Sequence, residues 1–169
     1  MHSTQDVWMV TGMPSAGKTT ISAALAASFD YGVHIPGDAV DDLIVSGQVE
    51  PDGEPTDQAE RQIGLTQRNM CILARSFGDA GFVPVIDWVV RDRPDLEVFL
   101  DGLQGRQVHL VVLEPGPDIR ASRKPDTTEC FSYLATAMER ELREAWRPRR
   151  LRQQRRGRQA GPDDSFAKA

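Results

Sequence analysis

The stretch Gly12-Met13-Pro14-Ser15-Ala16-Gly17-Lys18-Thr19, continued by Thr20, decides how this chain is read. Its spacing is G-x-x-x-x-G-K-[ST], the pattern of a phosphate-binding loop. The glycines let the backbone curl so that successive N–H groups point at a phosphate, and the helix that follows adds the positive end of its dipole. Lys18 is then expected on the β- and γ-phosphates and the Thr19 hydroxyl on Mg²⁺. The whole run Gly12, Met13, Pro14, Ser15, Ala16, Gly17, Lys18, Thr19 and Thr20 is the expected nucleotide contact. A glycine-rich turn without a ligand is the plain alternative. Against it, Val7-Trp8-Met9-Val10 is an apolar run fit for a buried strand, and residues 20–27 read as a helix. Strand, loop and helix in that order are what the mechanism requires.

Working outward, apolar runs and helical periods alternate. The loop helix spans about Lys18–Ser28, with Ile21, Ala24, Leu25 and Ser28 on one face. Residues 32–36 read as a second strand, and Asp38 as the cap of a helix reaching about Ser46. Residues 47–56 form a turn-rich loop with Pro51, Gly53 and Pro55. Asp57-Gln58-Ala59-Glu60 resembles a capping sequence and opens a long helix to about Ala80, stopped by Gly81. A third strand lies within residues 82–90 and is expected to begin after Pro84, which is awkward inside a central strand. A helix at about 94–103 and a fourth strand at 107–113 follow. Beyond them, a short helix is expected at about 118–123 and a last one at about 127–146. The pattern predicts an α/β fold in three layers, with a parallel sheet of four to five strands and helices on both faces.

With 169 residues the chain is long enough for one domain with a real core. No apolar run has the length of a membrane span, and no secretory signal is visible, so a cytoplasmic protein without a membrane partner is expected. Cys71 and Cys130 are unpatterned and read as reduced thiols; His2, His34 and His109 show no ligand spacing, and the last two sit in apolar runs as structural residues. The net charge of −5 hides an asymmetry, because residues 1–139 carry 10 Lys+Arg against 21 Asp+Glu and residues 140–169 carry 10 against 4. The domain is accordingly placed at residues 1–146. The arginine-rich, apolar-poor segment 147–169 reads as a basic tail, disordered or a frayed helix.

In a parallel α/β sheet, ligands bind at the carboxyl ends of the strands. That rule brings the loop, Asp38 and Asp87 to one edge. Asp38 is the candidate general base, since a carboxylate beside the γ-phosphate can orient a hydroxyl and take its proton; a plain helix cap is the competing reading. Asp41 and Asp42, one turn on, read as solvated. Asp87 is the candidate for the Mg²⁺ water shell or for substrate, against a structural hydrogen bond at a strand end. Arg120 and Arg123 are candidates for neutralising the moving phosphoryl group, against a solvated surface pair. Trp88 could line a substrate pocket or simply be buried, and Arg68 reads as exposed.

Residues 10–20, then Gly37-Asp38, then Val85-Ile86-Asp87, resemble the small P-loop kinases, and among them the chloramphenicol phosphotransferase-like proteins. Shikimate, gluconate and adenylylsulfate kinases are more distant relatives in that resemblance. It covers roughly residues 7–140, and only the phosphate loop is specific. It implies a monomeric or dimeric kinase that uses ATP and Mg²⁺ to phosphorylate a small-molecule hydroxyl. Asp38 would match the family's base, Lys18 and Thr19 its nucleotide and Mg²⁺ contacts, and Arg120 and Arg123 its lid. The departure is the tail, where the family's fifth strand would follow the long helix and no strand pattern survives. An NTPase without a small-molecule acceptor is one alternative. Nucleic-acid binding through the tail is another, and the absence of interleaved aromatics and the acidic body argue against it.

Overall fold

The computed structural model describes residues 5–49 and 56–113. Within them the elements run β1 (Asp6–Gly12), α1 (Lys18–Ala27), β2 (Gly32–Pro36), α2 (Gly37–Asp41), α3 (Asp57–Asp79), β3 (Val83–Asp87), α4 (Arg93–Gly102) and β4 (Gln107–Leu113). The four strands form one sheet in the order β2-β3-β1-β4, and every neighbouring pair is parallel. Parallel neighbours require crossovers, and α1, α3 and α4 supply them. The expected α/β class and parallel sheet are therefore what the chain adopts. The expected helices after Leu113 and the tail lie outside the described residues.

Side chains alternate along each strand, so each face of the sheet has its own core. On one face Val7, Met9, Ile35 and Ile86 meet Met70, Cys71 and Ala74 of α3 and Phe99 and Leu103 at α4. On the other, Val10 and Val85 meet Ala26, with Leu25 and Phe29 packed against them. The fold thus has helices on both faces. Among the described residues, no helix is long and apolar enough to cross a membrane.

Local chemistry fixes the element ends. Gly81 takes φ +93°, its N–H donates to Gly78 O, and Phe82 N–H donates to Phe77 O. This is a Schellman ending for α3, and the Phe77 and Phe82 rings meet edge to face across it. At the other end of α3, Thr56 is the cap, its Oγ1 accepting from Ala59 N–H at 3.2 Å. The expected capping sequence is thus off by one residue, because a hydroxyl preceding Asp57 reaches the third helical amide. At α4, Asp92 caps through Asp95 N–H with Pro94 in the first turn.

Three further expectations are corrected. Pro84 lies inside β3, an interior strand, as the partner of Val33. Val83 N–H faces β2, donating to Tyr31 O, so the Pro84 nitrogen turns toward β1, where pairing starts only at Val85. The helix after β2 stops at Asp41, and its cap position is Pro36, not Asp38. Finally, α1 buries Ser22 and Ala26, while Ile21, Ala24 and Ser28 are exposed. Its small residues allow close approach to the sheet, so the buried stripe need not be the most apolar one.

Candidate functional site

The carboxyl ends of β1, β2 and β3 meet at one edge. Asp87 closes β3 and is in register with Pro36 on one side and Val10 on the other. Gly37 and Asp38 follow Pro36 directly, and the loop follows Gly12. The topology thus assembles residues from three separated stretches, as the sequence led one to expect.

The loop has the curled geometry of an anion cradle. Gly12, Ser15 and Gly17 take positive φ of +145°, +62° and +93°, and Ala16 N–H donates to Met13 O at 3.0 Å. Gly12 is also required by space: a Cβ there would lie 2.5 Å from Leu113 O. Gly17 is the cap residue of α1 and has no side chain to accept from the first-turn amides, and no acid stands in that turn. Both α3 and α4 have a side-chain cap and acidic first turns. A helix start with no capping side chain at its N-cap and no acid in its first turn favours an anion.

Lys18 extends back over the loop, its Nζ donating to Met13 O at 3.3 Å. Burial holds its ammonium below the ordinary lysine range, against the opposing pull of Asp87 and then Asp38. Asp38 sits in the first turn of α2 and stays open to solvent. Partial burial, then the charge of Asp87, hold its carboxyl above the usual carboxylate range, and Lys18 opposes them. A carboxylate with raised proton affinity next to a cation is suited to accepting a proton. Asp87 itself is buried, 5% exposed, with Oδ2 lying 3.4 Å from His34 Nε2.

Trp88 follows Asp87 and is half-buried. Its ring packs directly on Gly37, so any side chain at 37 would collide with it. Trp88 N–H donates to Val10 O, and Val90 N–H donates to the buried Thr11 Oγ1 at 2.9 Å. The segment after β3 is thereby strapped along β1 beside the start of α2. Arg68 is exposed, as expected. Arg120 and Arg123 lie outside the described residues.

For a divalent cation, Thr19 and Asp87 offer a hydroxyl and a carboxylate, both hard oxygens. Among the described residues no group of three or more His, Cys, Asp or Glu is gathered into a cage. One or two protein oxygens, with phosphates and waters completing the shell, is the donor set Mg²⁺ accepts, so the residues fit that ion.

Sequence reading missed two supports. Asp41, which reads as solvated in the sequence, accepts from Thr66 Oγ1 at 2.6 Å and from Gln48 Nε2 at 3.1 Å, tying α2 to α3. Arg91 bonds both oxygens of Glu60 and both of Asp95, the closest at 2.6 and 2.7 Å. Its guanidinium is held more basic by Asp95 and then Glu60. Burial raises the Asp95 carboxyl, but the Arg91 side-chain and backbone hydrogen bonds together hold it below the ordinary range. The spacing of Arg91 and Asp95, four residues apart, was the available signal; nothing in the sequence pointed to Glu60.

No protein-family profile matches the sequence, and no curated protein does. Solved structures do match. A chain of the Pnkp1/Rnl/Hen1 RNA repair complex aligns with TM-score 0.59 at 12% identity, covering 85% of this chain and 47% of that one. A sugar kinase from Janibacter sp. HTCC2649 aligns with TM-score 0.54 at 20% identity, covering 83% of this chain and 76% of that one. The chain therefore spans about half the length of the RNA repair chain. The likeness shows that these chains share the α/β fold.

Proposed function

We propose that this protein is an ATP-dependent phosphotransferase that moves the γ-phosphoryl group to a hydroxyl of a small molecule. The observation that carries the reading is the uncapped, acid-free start of α1 behind the curled loop, with Lys18 over it and Asp38 and Asp87 flanking it. In the proposed reaction Asp38 takes the proton of the acceptor hydroxyl. The acceptor oxygen bonds to the γ-phosphorus, and the bond from that phosphorus to the β–γ bridging oxygen breaks, releasing ADP. Lys18 and the loop amides hold the phosphate oxygens throughout. Mg²⁺, when bound at Thr19 and Asp87, would supply further neutralisation of phosphate charge. Arg120 and Arg123 are proposed to close over the nucleotide.

The acceptor side favours a small neutral or cationic molecule over a polynucleotide end. Asp38, Asp41 and Asp42 all lie on or beside α2 and would repel a chain of phosphates. Fold neighbours described as a sugar kinase and as part of an RNA repair complex bracket these two acceptor types. Of the small-molecule kinases, the chloramphenicol phosphotransferase-like group is the one the residue pattern supports.

Calorimetric titration with ATP and Mg²⁺ tests the reading directly. Binding is expected for the wild type and lost in Lys18→Ala. An acceptor screen by phosphate transfer would then follow. Equal binding by Lys18→Ala would reject the loop assignment. ATP turnover that no hydroxyl compound stimulates would favour an NTPase.

A further inference from the structure

The histidine at position 34 was expected to be a structural residue of an apolar strand, and the structure gives it a more specific place. It lies on β2 opposite Val85, two residues short of the Pro36–Asp87 pair. Alternation along parallel strands puts His34, Val85 and Asp87 on one face of the sheet, the face covered by α1. There the His34 Nε2 is buried, makes no hydrogen bond, and stands 3.4 Å from Asp87 Oδ2. A carboxylate can only accept. A bare Nε2 lone pair would oppose it, so the tautomer compatible with this contact carries the proton on Nε2. At 3.4 Å the contact is longer than a formed charge-assisted bond of about 2.8 Å. Contacts of this kind tighten when the site is filled.

We propose that His34 is a positioning residue for Asp87. Its Nε2–H engages Oδ2 and so reserves Oδ1 for the cation that accompanies the nucleotide. The role rests on the phosphotransferase reading above, and it asks nothing of His34 beyond a neutral donor. Outer partners of this type commonly change metal affinity by about 10–100-fold when removed.

The test uses the full-length protein with Mn²⁺ as an EPR-visible probe and a non-hydrolysable ATP analogue. In EDTA, wild type and His34→Leu should bind the analogue equally. In the ternary complex, His34→Leu should bind Mn²⁺ about tenfold more weakly. His34→Gln, which keeps an N–H donor of similar reach, should recover to within about threefold. Unchanged Mn²⁺ affinity in His34→Leu, or a His34→Gln protein as weak as His34→Leu, would overturn the role, the second outcome pointing to packing alone. Should the leucine variant not fold, nitrogen NMR of the wild-type ring decides instead. A proton on Nε2 is expected, and a proton held on Nδ1 with Nε2 bare would overturn the proposal. A wild type that binds no analogue would overturn the phosphotransferase reading and this role with it, whereas analogue binding with Mn²⁺ affinity indifferent to position 34 would remove this role alone.

Discussion

The two faces of the sheet are packed on different terms. Under α3 and α4 the layer is built from Met9, Ile35, Met70, Ile86, Phe99 and their neighbours. Under α1 the apolar contacts are fewer, and Ser22, His34 and Asp87 share the layer with Val10 and Val85. Ser22 Oγ and His34 Nε2 are both buried there without hydrogen-bond partners. Buried polar atoms without partners are disfavoured, and where they occur they call for an explanation such as a functional role. Gln67 Nε2 on α3 is the third such atom among the described residues, so the faces differ in their apolar content more than in unmet polar groups; on the proposed reading, the α1 face is the one that would carry the chemistry.

The largest effect expected from breaking this division is on turnover. Asp38→Asn should lower kcat by roughly 10²–10⁴-fold while ATP affinity and Tm stay near wild type. Its native carboxyl is held above the ordinary range. The base form therefore fills in as pH rises through that raised value, and the acid limb of kcat/KM should lie higher than an ordinary carboxylate would set it. Because a raised carboxyl opposes folding above its unfolded pKa, Asp38→Asn should not lower stability at neutral pH. A variant with unchanged kcat would remove Asp38 as the base.

Phe99→Ala attacks the opposite face. Phe99 is fully buried, and its truncation should cost about 3–5 kcal/mol in urea unfolding, with nucleotide affinity retained in whatever fraction folds. A loss of affinity in the folded fraction would mean that the two faces are not separable.

Arg91→Leu comes next, at about 2–4 kcal/mol, since it strands Asp95, which is almost fully buried. The sign with pH follows from the depressed Asp95 carboxyl. In wild type its stabilisation is complete above about pH 4, the ordinary carboxylate range, and fades as pH falls through the native value. Denaturant midpoints measured across that range should show this acid-side loss in wild type and little of it in the variant.

Ser22→Ala is the smallest and changes sign. Replacing an unpartnered buried hydroxyl with a methyl should leave stability unchanged or raise it by up to about 1 kcal/mol, read as a small rise in Tm. A clear loss would show that Ser22 has a partner in solution, such as a bound water.

Much of this was legible from residues. The loop motif located β1 and α1 because its mechanism demands both, and alternation of apolar runs with helical periods gave the parallel sheet. Asp38 and Asp87 could be placed at one edge because strand ends in such sheets converge. What escaped reading was whatever depends on approach between distant elements. Pro84 is tolerated because of which neighbour its nitrogen faces, a matter of register. The short α2 ends where Asp41 turns to Thr66, a partner 25 residues away. His34 looked structural because its neighbours in sequence are apolar, whereas its neighbour in space is Asp87.

The strand order also constrains how the protein is made. β1 is interior, and its register with β4 joins Asp6 to Gln107 and Gly12 to Leu113. Its other partner, β3, starts only at Val83. Of the four described strands, the one leading into the loop at residues 12–19 is therefore synthesised first and its pairing completed last. At about 5–20 residues per second, roughly 5–20 s separate its synthesis from that of its final partner. During that interval its amide edge stands open to any passing strand. A nascent chain halted before Gln107 still carries this open edge, which makes the stretch of synthesis between β1 and β4 the stage at which a chaperone would matter most.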